Sequence, residues 1–108
     1  MEAKQNIVLA EGEKCGDFLA RVLKGRAGES WLRIGTAILE IIVTELQGRQ
    51  FQLSAQLEDD GMVIRVEHGG RILDGIVFDS IRDFVDSVDY VHKNNKSHVL
   101  TIKKTFGK

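Results

Sequence analysis

The sequence predicts an α+β fold: a two-layer sandwich with helices on one face of a largely antiparallel sheet, in the order β-α-α-β-β-α-β. Three observations carry this. The 108 residues are 43% apolar and 29% charged, the balance of a single globular domain spanning 1–108. The spacing of apolar residues switches along the chain between two and three-to-four. A period-two run, with Phe51, Leu53, Ala55 and Leu57 set against Gln50, Gln52, Ser54 and Gln56, leads into Asp60-Gly61, a favoured hairpin turn.

The first element is a strand over Asn6 to Ala10, built on Ile7, Val8 and Leu9 and ended by Glu11-Gly12. From Glu13, Cys15, Phe18, Leu19, Val22 and Leu23 recur at helical spacing, with Asp17, Arg21 and Lys24 on the other side. Gly25 and Gly28 loosen the chain, and Ser30 is the expected N-cap of a second helix over Trp31 to Gln47. That helix is apolar nearly all round (Ile34, Ala37, Ile38, Leu39, Ile41, Ile42, Val43, Leu46), which predicts cover on more than one side. Gly48 stands where a C-cap glycine belongs. After the period-two strand, Met62 to Val66 returns as its hairpin partner and Gly69-Gly70 breaks it. A third helix is expected after Asp79-Ser80, with Ile81, Phe84, Val85, Val88 and Val91 or His92 on one stripe and Ser80 and Asp83 at capping-box spacing. Asn94-Asn95 marks its exit, and the final strand alternates His98, Leu100 and Ile102 against Val99 and Thr101.

Composition narrows the function. A single cysteine, Cys15, excludes an internal disulfide and a thiolate zinc cluster. Fifteen Lys and Arg against sixteen Asp and Glu leave a formal charge of −1. The basic residues near the end (Lys93, Lys96, Lys103, Lys104, Lys108) read as a solvated strand face, so no nucleic-acid partner is expected. No segment approaches the ~20 apolar residues that cross a bilayer, and Met1 to Gln5 is polar with no signal-peptide core behind it. The expectation is a cytoplasmic protein without a membrane partner.

Three stretches carry a family resemblance: Thr36-Ala-Ile-Leu-Glu-Ile-Ile-Val-Thr44, then Met62-Val-Ile-Arg-Val-Glu-His-Gly-Gly-Arg-Ile-Leu-Asp74, and finally Phe84-Val-Asp-Ser-Val88 with Tyr90 and the strand Val99 to Thr105. In this order they resemble the ATP-binding (GHKL) fold shared by histidine kinases and the bacterial anti-sigma serine kinases, over nearly the whole chain from Asn6 to Phe106. The resemblance implies roles position by position. Glu40 stands at the family's helix glutamate, and Thr44 stands where an asparagine would bind magnesium. Glu67 takes the place of the aspartate that accepts from the adenine amino group, Gly69 matches the first glycine of that motif, and Arg71 replaces the second. Gly75 matches the first glycine of a Gly-x-Gly-Phe box, with Val77 at its second glycine and Phe78 at its phenylalanine.

The departures predict a lost ATP site. Magnesium demands octahedral geometry at ~2.1 Å, which a threonine at the asparagine position meets poorly. Glu67 adds a methylene that would push into the adenine. Arg71 and Val77 lack the freedom with which glycine lets backbone approach phosphate. Only Ile72, Leu73 and Asp74 separate Arg71 from Gly75, so the loop that closes over the triphosphate is nearly absent. What the resemblance implies is a regulatory module of the anti-sigma, partner-switching type. Its partner would be a sigma factor or an anti-sigma-antagonist protein, and it would pair as a homodimer through the Ile7 to Phe18 region. No cofactor and no metal are then expected. The alternative is an active serine/threonine protein kinase that uses Mg-ATP, with Glu40 as the catalytic residue.

The remaining chemistry-bearing residues have plainer readings. Glu40 and Thr44, four apart on one helix face, also fit a polar notch in a buried helix. His68 reads as a turn histidine, and His92 and His98 have no metal-ligand spacing. Asp83, Asp86 and Asp89 would form an acidic stripe on the third helix, either a wet face or a docking ridge. Cys15 reads as a small core residue, and Trp31 as core or as an interface anchor.

Overall fold

The computed structural model describes residues 6–24, 28–94 and 96–106. The chain runs β1 (Asn6–Val8), α1 (Cys15–Leu23), α2 (Glu29–Glu45), β2 (Phe51–Leu57), β3 (Gly61–Gly69), α3 (Gly75–Ile81), β4 (Ser87–Asn94) and β5 (Ser97–Thr105), with one 3-10 turn at Arg82–Phe84 between α3 and β4. The strands form one antiparallel sheet in the order β1-β2-β3-β5-β4. The α+β two-layer architecture anticipated from the periodicities is the one observed, with one strand more than the sequence suggests.

Strand alternation builds the layer. Leu53 and Ala55 of β2, Met62, Ile64 and Val66 of β3, and Leu100 and Ile102 of β5 point to one face. Phe18, Leu19 and Val22 of α1, Ile38, Leu39 and Ile42 of α2, and Val77 and Ile81 of α3 close over them. The opposite face presents Gln56, Val63, Arg65, Val91, Lys93 and Thr101. Trp31 belongs to the core at 8% exposure, its indole N–H donating to Met62 Sδ at 3.4 Å. No helix of the described residues is long and apolar enough to cross a membrane.

Several expectations are corrected. The helix begins at Gly75, and its N-cap is Asp74, whose carboxylate accepts from Ile76 N–H at 3.0 Å. Asp79 and Ser80 lie inside it, so Ser80 and Asp83 form no capping box. The stretch expected to prolong it is β4, whose Val88, Tyr90 and His92 pair laterally with Ile102, Leu100 and His98. The edge of β5 offers main-chain bonds along eight residues, and the β-branched and aromatic content of the segment fits that pleated surface. The acidic stripe therefore does not exist. Asp83 sits in the 3-10 turn, Asp86 accepts from Thr105 N–H, and Asp89 lies on β4.

Two helix ends also shift. Gly28, not Ser30, is the N-cap of α2, and the C-cap is Leu46, with Gly48 supplying the left-handed residue (φ +82°) of the following turn. β3 runs three residues beyond Val66. The all-round apolar α2 is covered on one side only, since Ala37 and Ile41 are exposed. Met1 to Gln5, Gly25, Asn95 and Lys108 lie outside the described residues.

Candidate functional site

Thr36, Glu40 and Thr44 stack at four-residue intervals along α2 and line an open groove of about 950 Å³ whose other wall includes Gly16, Asp17 and Ala20 of α1. Glu40 and Thr44 are thus brought together, both exposed. Cys15 sits close by; its thiol is pushed up by burial and then by the Glu40 carboxylate, the opposite of what activates a nucleophile.

Glu67 is elsewhere. It alternates with the inward-facing Val66 and His68, so it lies on the sheet face away from the helices, beside Gln52 and Val99, and pairs with Arg65 at 3.3 Å. Gly69 ends β3, Arg71 is exposed on the connection that follows, and Gly75 opens α3. Three of the anticipated positions therefore share one short connection, two share the α1–α2 groove, and Glu67 joins neither. The groove that holds Glu40 and Thr44 is not lined by Glu67, Gly69, Arg71 or Gly75. Magnesium and ATP need these groups around one volume, and with Thr44 and Glu67 on opposite sides of the sheet the residues do not fit that ligand.

The connection itself is held by a cluster that sequence spacing conceals. His68 on β3, His98 on β5 and His92 on β4 are lateral neighbours, a row of three imidazoles across adjacent strands on the helix-facing side. They are all the histidines of the chain. His68 and His98 are each 4% exposed, whereas His92 is open to solvent. Tyr90, the only tyrosine, packs against Phe78 of α3 at 5.1 Å between ring centroids.

Hydrogen bonding fixes the tautomers. His68 Nδ1 lies 2.9 Å from the Gly69 carbonyl and must donate to it, leaving Nε2 to accept from Tyr90 O–H at 2.6 Å. The same phenolic oxygen accepts from Leu73 N–H at 3.0 Å. His98 Nε2 donates to the Gly70 carbonyl at 2.9 Å, so its Nδ1 accepts from His92 Nδ1–H at 2.8 Å. Arg49 adds a bond from Nη1 to the Arg71 carbonyl at 2.7 Å. The main chain of Gly69, Gly70, Arg71 and Leu73 is thereby tied to β3, β4, β5 and the turn after α2. Burial holds His68 below its ordinary imidazole range, seconded by the charges of His98, Arg49 and His92, and burial raises the Tyr90 phenol.

This row could have been found in the sequence only through register. His68 continues the inward parity of Ile64 and Val66, and His98 that of Leu100 and Ile102, but His92 is in phase only once residues 87–94 are read as a strand. Chemically, the cluster is a hydrogen-bonded network without a serine, cysteine or carboxylate in it. Among the described residues no group of three or more His, Cys, Asp or Glu side chains is arranged to hold a metal ion.

No family model matches the chain, and no curated protein matches it significantly.

Proposed function

We propose that the chain is a regulatory protein-interaction module of the anti-sigma, partner-switching type with a lost ATP site. In this reading it is cytoplasmic, binds a sigma factor or an anti-sigma-antagonist protein, and pairs with itself. The observation that supports the reading most is the state of the β3–α3 connection. Where a kinase of this kind needs glycine backbone free to cradle phosphate, five residues (70–74) span the gap. Leu73 is 4% exposed beneath them, and Tyr90 and Arg49 bind their main chain. The separation of Glu67 from Thr44 supports it as well. With no nucleotide chemistry, control rests on competition between partners for outer surface, its affinity set by a few buried anchor residues.

Thermal unfolding with and without Mg-ATP tests the lost site. A ligand at a hundred times its dissociation constant stabilises by ~2.7 kcal/mol, and each kcal/mol moves Tm by ~4–8 °C in a domain of this size. An unchanged Tm is expected. A shift of that order establishes a nucleotide site and favours the kinase alternative, with Glu40 as its base. The partner half of the proposal is tested by co-expression with the sigma factors and the anti-sigma-antagonist proteins of the source cell and size-exclusion chromatography. Co-elution with one of them is expected, and separate elution of all of them overturns it.

A further inference from the structure

We infer that the histidine row is a proton-operated latch on the β3–α3 connection, closed when the imidazoles are neutral and opened at Leu73 when His68 takes a proton. The inference concerns this chain's own cluster and holds whatever partner the domain binds.

The closed state uses every ring nitrogen of His68 and His98 in one assignment only. Each spends its single N–H on a backbone carbonyl, Gly69 for His68 and Gly70 for His98, and each offers its lone pair to a neighbour, Tyr90 O–H or His92 Nδ1–H. The two halves respond differently to protons. The His92–His98 bridge tolerates a proton, because His92 is exposed and the bridge uses only its Nδ1. With the charge on the pair, a single hydrogen still bridges the two Nδ1 atoms.

His68 has no such outlet. A proton on its Nε2 points at Tyr90 Oη, which already receives Leu73 N–H. The phenol's own hydrogen then meets no lone pair on His68, so the oxygen that anchors Leu73 must turn. The connection is built to yield there. Gly70 is in the left-handed region (φ +78°), Ile72 is 57% exposed, and α3 keeps its own hold on the core through Val77 and Ile81.

The charged and titratable groups around His68 set where it titrates. His98 on β5, His92 on β4 and Arg49 in the turn after α2 all disfavour its protonation, and Tyr90 beside it is neutral. Arg65 and Glu67 on its own strand face the other side of the sheet. On α3 the nearest carboxylate by sequence, Asp74, is engaged with Ile76 N–H. Burial and these neighbouring charges oppose a proton on His68, so the release of Leu73 falls below the ordinary imidazole range.

Imidazole NMR titration of the full chain, combined with amide exchange corrected for the intrinsic pH dependence, tests this. The expected result is His68 in the Nδ1–H tautomer, titrating below free histidine. Leu73 exchange rises about tenfold or more in step with it while Ile64 does not change. His92→Ala, a change at an exposed side chain, moves the His68 midpoint upward and Leu73 release with it. Tyr90→Phe gives fast Leu73 exchange already at neutral pH, with Ile64 still protected. Three results overturn the latch. One is Leu73 protection that stays flat across the His68 titration, and another is a His68 midpoint indifferent to His92→Ala. The third is stoichiometric uptake of zinc that shifts all three imidazoles at neutral pH, which makes the row a metal site instead.

Discussion

Single atoms decide more here than residue classes do. Gly61 opens β3 where the chain crosses the end of β5, and a Cβ there would overlap the Lys104 carbonyl and stand 2.9 Å from Thr105 Cα. Both obstacles are backbone and cannot swing aside, so Gly61→Ala is expected to destabilise by ~1–3 kcal/mol, read as a lower Tm. Tyr90→Phe removes one oxygen and leaves both Leu73 N–H and His68 Nε2 without their partner. The expected cost is ~1–3 kcal/mol by urea denaturation, the penalty of a buried polar group left unsatisfied. Glu67→Gln is the contrast. Among the described residues its carboxylate pairs with Arg65, and both side chains are about half exposed (47% and 49%). A change within about ±0.5 kcal/mol is expected, as for an ordinary surface site.

At the scale of elements, α3 is the most exposed to perturbation. It has seven residues, too few for intrinsic helical stability. It is held by Val77 and Ile81 in the core and by the Asp74 cap. Asp74→Ala is expected to cost ~1 kcal/mol and to speed amide exchange at Ile76 before that of β3. This element also marks where sequence reading fails. The hairpin of β2 and β3 was legible because alternation and an Asp-Gly turn agree over Phe51 to Val66. Ile81, Phe84 or Val85, and Val88 satisfy helical spacing equally well, and Val88, Tyr90 and His92 satisfy alternation. Only lateral pairing with β5, invisible in local spacing, decides for the strand. The same distinction separates the sites. Glu40 and Thr44 were legible as neighbours because four residues make one helical turn, whereas the histidine row spans three strands and depends on register between segments up to thirty residues apart.

For the whole molecule, the buried and paired ionisable groups predict a stability profile that is domed in pH, with each flank assignable. On the acid side His68 is depressed below its ordinary 6.5. The unfolded chain therefore binds a proton there before the folded one does, and stability is full above that value and falls as pH drops towards the folded one. Asp86, depressed from 3.8 chiefly by its bond from Thr105, and Glu13, depressed from 4.5 chiefly by Arg21, follow the same sign further down. Their contributions are present above the ordinary carboxylate values and lost below them. On the alkaline side Cys15 and Tyr90 are raised from 9.0 and 10.0 by burial, so the folded state keeps protons that the unfolded chain releases, and stability declines as pH rises past those values. The expected Tm curve thus has a plateau between about pH 7 and 8.5, a first acid step near the histidine range and a second near the carboxylate range. Substituting His68 by Asn should erase the first step and leave the second. A differential scanning series in which the first step survives that substitution would assign it to another group and remove the buried imidazole from the account of stability.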